Sequence, residues 1–319
     1  YDLKNELENL ESDNPSIIEW EPMNFFEPEC IITFEENHIT VESSELDYYQ
    51  KEIHTTLIET PQENSSKPRV QNLKSWTSRD EYIRTVDKLR NHIEEGDIYE
   101  INYCINFSAD TKDFYPIDIF QRLSTTSPAP FASFLKIDSR YIISASPERF
   151  IKLKNNQIIS QPIKGTAKRG NTEKEDIENV KRLSESEKER AENMMIVDLV
   201  RNDLAKSAET GSVKVEEIFG IYSFQQVHQM ISTISAIKKK QIHAIDIIKN
   251  AFPMGSMTGA PKISAMQLIE KFENSKRNVF SGSIGYFRSE NEFDFNVLIR
   301  SIYYNEETKK LNYQVGSAI

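Results

Sequence analysis

From Tyr99 to Phe107 apolar and polar residues alternate. Tyr99, Ile101, Tyr103, Ile105 and Phe107 fall on one side, and Glu100, Asn102, Cys104 and Asn106 on the other. A period of two is that of a strand, so one face is expected to be buried while the other can line a polar pocket. Just upstream the period lengthens. Tyr82, Val86, Leu89 and Ile93 recur at helical spacing, and Gly96 ends the run. Ser78-Arg79-Asp80-Glu81 opens that helix with a capping box, Ser78 and Glu81 each satisfying an orphan backbone donor.

The same reading predicts strands at residues 131–136, 141–145, 150–153, 158–161, 213–219, 227–237, 282–287, 291–304 and 311–315. One long helix is expected over 173–205, and shorter ones over 244–251 and 261–272. A hairpin is expected near the start, from 31–34 through a turn at Glu36-Asn37 to 39–41. The polar run 62–74, with Asn64, Ser65, Ser66, Lys67 and Pro68, predicts a linker. There is no internal repeat and no low-complexity tract. Strands grouped in runs, with helices inserted, imply an α+β fold with a mainly antiparallel sheet; a regular βαβ alternation is missing. The chain is therefore expected to divide into an N-terminal region (1–62), a linker (63–75) and a main domain (76–319). It opens on Tyr1 and closes on Gly316-Ser317-Ala318-Ile319, which reads as the start of a turn, so both ends are expected to continue.

Charge narrows the function. With 39 Lys and Arg against 50 Asp and Glu, the net charge is -11, which suits neither a DNA nor an RNA backbone. A local basic pocket for a small anion stays open. No stretch approaches the roughly 20 apolar residues that a bilayer span needs, and no signal-peptide pattern is present. Cys30 and Cys104 lie far apart and form no disulfide framework, so a reducing cytoplasm is expected. Neither CxxC nor HExxH occurs, which leaves a zinc site without support.

Five places could carry chemistry. Lys164, in Gln161-Pro162-Ile163-Lys164-Gly165-Thr166 where a strand is expected to end in a turn, is either a surface charge or a partly desolvated, nucleophilic amine. Glu148, in Ser146-Pro147-Glu148-Arg149-Phe150, either pairs with a surface cation or serves as a proton donor with raised pKa. Glu185, Glu189 and Glu192 share one face of the expected long helix, as a solvated stripe with Lys181 and Lys188 or as oxygen ligands for Mg²⁺. Residues 254–262, Met-Gly-Ser-Met-Thr-Gly-Ala-Pro-Lys, lead into a helix as an ordinary loop or as an anion-binding start; the P-loop spacing is absent. Arg300, within an apolar strand, needs either an internal acid or a bound carboxylate.

In their order, the motifs SPERF, PIKGT, ERAENMMIVDLVRNDL, GSMTGAPK, GSIGYF and the IR of VLIRS resemble those of the chorismate-utilising enzymes. That family includes anthranilate synthase component I, aminodeoxychorismate synthase component I, and the isochorismate and salicylate synthases. The resemblance covers residues 78–319 strongly. It implies a sandwich of two antiparallel sheets wrapped by helices, with the active site in a cleft. It also implies roles. Glu148 is matched to a general acid, Glu189 and Glu192 to acids that hold Mg²⁺ against a substrate carboxylate, and Gly165, Thr166 and Ser256 to contacts with chorismate. Tyr286 and Arg300 are matched to groups gripping the enolpyruvyl carboxylate, and Gly316 to a backbone contact with a carboxylate.

Within the family, Lys164 in PIKGT resembles the aminodeoxychorismate branch, where anthranilate synthases have PIAGT; residues 127–131 also look like that branch. Water-adding members carry a lysine base at the position of Glu100. The resemblance thus implies amination of chorismate to 4-amino-4-deoxychorismate for 4-aminobenzoate and folate synthesis, with ammonia from a glutamine amidotransferase subunit. The alternatives are an anthranilate synthase component I and a non-catalytic ligand-binding module. The chain departs from the pattern in having Gln229 where many members have His, with His228 on the opposite strand face, and Ala318 where glycine is usual. A second pair of metal-binding acids is expected beyond Ile319.

Overall fold

The computed structural model describes residues 1–8, 10–58 and 68–319. Residues 62–67 of the expected linker therefore lie outside the described residues. The described chain forms two compact units, Tyr1–Pro22 with Pro68–Ile319, and Met23–Lys67.

In chain order the elements begin with α1 (Lys4–Glu8), β1 (Cys30–Phe34), β2 (Ile39–Ser43), α2 (Leu46–Ile58), β3 (Arg69–Ser75), α3 (Arg79–Glu94) and β4 (Glu100–Lys112). They continue with α4 (Pro116–Thr126), β5 (Phe131–Ile137), β6 (Arg140–Ser146), β7 (Arg149–Lys154), β8 (Gln157–Gln161) and β9 (Ile163–Lys168). Then come α5 (Glu173–Glu185), α6 (Glu187–Ser207), β10 (Lys214–Ser223), β11 (Val227–Ile237) and α7 (Ala244–Ala251). A short 3₁₀ turn at Gly255–Met257 precedes β12 (Gly259–Ala260) and α8 (Lys262–Phe272). The last strands are β13 (Gly285–Ser289), β14 (Glu292–Asn296), β15 (Ser301–Asn305) and β16 (Lys310–Ala318).

The smaller unit is the predicted hairpin, β1 paired with β2 from Cys30↔Ser43 to Phe34↔Ile39, followed by α2. The larger unit holds two seven-stranded antiparallel sheets. One runs β10-β11-β8-β7-β14-β13 with β9 also on β11; the other runs β12-β4-β16-β15-β6-β5 with β3 also on β4. This is the expected α+β architecture. A large core joins the sheets to α6 and α7 through Phe150, Ile151, Ile196, Val200, Leu204, Ile234, Ile247 and Phe293. A second core packs α3 and α8 on β4 through Leu89, Ile101, Tyr103, Ala265 and Ile269.

Several local readings hold. The capping box at Ser78 and Glu81 is formed in both directions, and Gly96 follows α3 with φ +85°. Others change for physical reasons. Residues 1–22 pack into the larger unit rather than with 23–58, and residues 69–75 of the expected linker pair with β4 as β3. β3 is exposed along its length, so it lacks the apolar alternation that identifies a half-buried strand.

The expected helix over 173–205 is two helices. Ser186 has extended backbone (φ -66°, ψ 110°), closing α5 and capping α6, its side chain accepting from Glu189 N at 3.3 Å. Glu185 thus belongs to a different helix from Glu189 and Glu192, and the three-residue acidic face does not exist. The expected strand 291–304 breaks at 297–300 into β14 and β15, which lie in different sheets. The anticipated turn at Pro162 is absent. The strand resumes as β9 along β11, with Pro162, which has no N–H to give, at the interruption. Residues 316–318 extend β16 instead of opening a turn, paired with Cys104, Tyr103 and Asn102.

Among the described residues no helix is long and apolar enough to cross a membrane.

Candidate active site

The chain passes between the two sheets at two adjacent places. One is Pro147-Glu148, between β6 and β7; the other is 297–300, between β14 and β15. Hydrogen bonds stitch the crossings together: Val297 N donates to Glu148 O (3.0 Å), Ser146 Oγ to Val297 O (2.5 Å) and Ala145 N to Arg300 O (3.1 Å). Glu148 and Arg300 are carried here, off the regular ladders.

Glu148 is buried at 4% exposure, and Ser256 Oγ from the 3₁₀ turn donates to its Oε1 at 2.6 Å. Burial pushes its carboxyl up from 4.5 to about 7, against the opposing Ser256 hydrogen bond and the positive charges of Lys164 and Arg300. A carboxyl poised near neutrality, on a fixed backbone, is what a proton donor at physiological pH requires. Glu148 is therefore no surface carboxylate paired with a surface cation. Arg149 instead reaches Asp294 at 2.9 Å and Gln161.

Ser256 is placed by a loop that itself is tightly fitted. A Cβ on Gly255 would come within 2.7 Å of Leu199, and one on Gly259 within 2.2 Å of Glu100 O, where β12 pairs with β4. Lys262 does not face an anion site. It is bound to Asp203 Oδ2 (2.6 Å) and to the carbonyls of Ala251 and Pro253, which fixes the start of α8 against α6.

Lys164 is not a surface charge. It lies on β9 at 8% exposure, and its ammonium crosses to the other sheet to pair with Glu100, the first residue of β4, itself 2% exposed. Glu100 Oε2 has no hydrogen-bond partner, and neither has Gln229 Oε1 on β11. The backbone at Lys164 is held by Asn193 of α6, whose Nδ2 donates to Lys164 O at 3.3 Å while Ser232 Oγ donates to Asn193 Oδ1 at 2.6 Å. The alternation along β4 marks a polar face but nothing in the sequence joins Glu100 to Lys164. That face was the available signal, and the partner lies on the other sheet.

Gly165 has φ +96°, and a Cβ there would meet Glu189 Oε2 at 3.1 Å and Met230 Cβ at 3.2 Å. The missing side chain lets Glu189 approach β9. Thr166 is exposed and stands opposite Gln229 in the β9–β11 register. Asn193, Ile196, Val197, Val200, Asp203, Leu204 and Ser207 form the buried face of α6, which Glu189 continues at its N-terminal end. Glu192 is partly buried and paired with Lys188 at 3.6 Å. Two carboxylates one turn apart offer oxygen donors of the kind Mg²⁺ takes, the remaining ligands coming from water and substrate. The donor chemistry therefore fits Mg²⁺. Among the described residues the only trio of metal-type donors gathered together is His92, Glu95 and Asp97, at the end of α3.

The remaining predicted residues are less closely joined. Arg300 is exposed, in the break between strands rather than within one, and has φ +51°. A left-handed arginine stores strain of order 1 kcal/mol or more, here held by the crossing's hydrogen bonds. Tyr286 is 54% exposed on β13, the edge of its sheet, with Arg288 over its ring at 6.0 Å. Gly316 lies opposite Cys104, and a Cβ there would meet Asn102 Oδ1 at 2.4 Å. His228 is fully buried and tied to Asp176 (2.9 Å) and Ser223 (2.8 Å), on the face away from Gln229. The Arg169 and Asp176 pair holds the Asp176 carboxyl well below its usual range.

The chorismate binding enzyme family matches residues 1–319. The chain is 41% identical over 242 residues to an aminodeoxychorismate synthase of Streptomyces griseus, spanning 76% of this chain and 33% of that protein. It is 41% identical over 230 residues to aminodeoxychorismate synthase component 1 of Escherichia coli K12, spanning 71% of this chain and 51% of that protein. It thus spans about a third and about half of these relatives' lengths. The crystal structure of anthranilate synthase component I from Streptococcus pneumoniae is similar over 99% of this chain and 73% of that one, with 27% identity and a TM-score of 0.87. The chain belongs to the chorismate binding enzyme family.

Proposed function

We propose that this family member aminates chorismate to 4-amino-4-deoxychorismate, the precursor of 4-aminobenzoate for folate synthesis. The observation that carries the reading is Lys164. A buried amine facing a buried carboxyl of raised pKa equips the site for covalent displacement, whereas simple ligand binding needs no nucleophile. The names of the 41% identical relatives support the same branch.

In this mechanism Lys164 attacks C2 of chorismate while both double bonds of the ring diene shift and the C4 hydroxyl leaves as water, protonated by Glu148. Ammonia then attacks C4, both double bonds shift back and the lysine departs. Two displacements replace one difficult one. Ser256 orients the Glu148 carboxyl. Gly165, Thr166 and Gln229 border the ring, and Tyr286, Arg300 and the Gly316 backbone take the carboxylates. Glu189 and Glu192 would hold Mg²⁺, which supplies charge neutralisation for a substrate carboxylate. Every residue invoked lies within 76–319. Ammonia would come from a glutamine amidotransferase subunit, and two free cysteines agree with a cytoplasmic setting.

The protein is tested with chorismate, Mg²⁺ and ammonium, the product being read by mass spectrometry. Accumulation of 4-amino-4-deoxychorismate, turned into 4-aminobenzoate only when a lyase is added, is the expected result. Anthranilate forming without a lyase would move the protein to the anthranilate branch, to which the solved structure of similar fold belongs.

A further inference from the structure

Resting on the amination reading, we propose that Glu100 is the proton acceptor that converts Lys164 from ammonium to attacking amine, and that it returns the proton when the amine leaves. An ammonium has no lone pair. In a buried site with few routes to water, it needs a local base to become a nucleophile. Glu100 is the group that touches it.

The two residues come from different sheets, each 8% exposed or less. Both are held at the backbone. Ala260 of β12 stands opposite Glu100, and Asn193 holds the carbonyl of Lys164. A buried ion pair kept for stability satisfies its remaining lone pairs. Glu100 does not: its Oε2 is buried without a partner. Moving one proton from Nζ to Glu100 turns the ion pair into a neutral pair, leaving the net charge of the pocket unchanged. Other titratable or charged groups act on the exchange from the packed elements. Glu148 faces Lys164 from the β6–β7 crossing, with Arg300 beside it, and Cys104 does so from β4. Behind Cys104 stands the Glu273–Arg277 pair at the end of α8.

The proton balance closes. Lys164 gives one proton to Glu100, its lone pair bonds C2, and the C4 hydroxyl leaves as water with the proton of Glu148. Ammonia adds at C4, the C2–N bond breaks with its electrons on Lys164, and Glu100 gives that amine its proton back. The new C4 ammonium reprotonates Glu148. Chorismate and ammonia become the amine and water.

The test compares wild type, Glu100→Gln and Glu100→Asp from pH 6 to 9 in the chorismate, Mg²⁺ and ammonium assay. Glu100→Gln is expected to lower kcat about 100-fold near neutrality with little change in KM. The ratio of its rate to the wild-type rate should climb with pH, as hydroxide takes over the missing base's work. Glu100→Asp, which keeps the base, should retain more rate than the amide. An unchanged rate in Glu100→Gln overturns the proposal. So does an equal loss at every pH, because misplacement of Lys164 alone would give that. The amination reading fails separately. If wild type yields no C4-aminated product, the Lys164–chorismate adduct formed without ammonia is followed by intact mass, and the same pH comparison is made on it. A wild type giving neither adduct nor amine overturns both readings.

Discussion

Two buried ion pairs in this protein have opposite characters. Arg277 and Glu273, 2% and 6% exposed, form a saturated cluster. Arg277 donates to both Glu273 oxygens, to Met257 O (2.6 Å), to Asn102 O (2.7 Å) and to Ser281 Oγ (3.3 Å), while Glu273 also accepts from Cys104 N at 2.8 Å. Lys164 makes one side-chain hydrogen bond, to Glu100, whose second oxygen is left over. Burial alone does not distinguish the two pairs; hydrogen-bond satisfaction does. The saturated pair ties the end of α8 to β4 and to the loop that carries Ser256. The unsaturated pair keeps capacity for a proton and a ligand.

The sharpest way to break this contrast is to remove each pair whole. Lys164→Met with Glu100→Gln should cut amination by about 10³-fold or more, while the melting midpoint in denaturant shows a stability change within about 1 kcal/mol. Arg277→Met with Glu273→Gln should instead lower stability by about 3–5 kcal/mol, because the carbonyls of Met257 and Asn102 lose their donor inside the core. Equal destabilisation by the two double variants would erase the distinction.

Glu148 sharpens it from another side. Burial raises its folded-state pKa to about 7 from 4.5, so the neutral carboxyl is the one the fold prefers. Its contribution to stability is full below about pH 4.5 and is lost as pH rises through about 7. Glu148→Gln should therefore be more stable than wild type at pH 8, by at most about 3 kcal/mol, with the gain vanishing near pH 4. Chemical denaturation across that range checks it, and the same variant should lose nearly all amination. Tyr286 gives the smallest effect. Tyr286→Phe should raise KM for chorismate about fivefold, roughly 1 kcal/mol, and leave kcat alone.

Much of the fold was legible because it rests on periodicity. The alternation along β4, the capping box of α3 and the spacing in α7 each describe a face or an end that the chain must satisfy locally. The failures share a cause. Nothing in residues 291–304 marks where an apolar strand leaves one sheet for the other, so Arg300 was expected inside a strand. Ser186 reads as helix from its neighbours, although its side chain caps α6. β3 carries no apolar face to be seen.

For the site, the sequence determined which groups are present: a lysine before a glycine, a glutamate in Ser-Pro-Glu-Arg, carboxylates one turn apart on a helix. Those are covalent facts, and their order along the chain sufficed for a family resemblance. Only the tertiary structure decided what each group does. Lys164 and Glu100 are 64 residues apart and come from different sheets, so their meeting depends on how the sheets pack. The pKa of Glu148 depends on the water that packing excludes, and the freedom of Glu100 Oε2 on the donors that packing left out. Desolvation and hydrogen-bond satisfaction are properties of the assembled interior, and no local pattern encodes them.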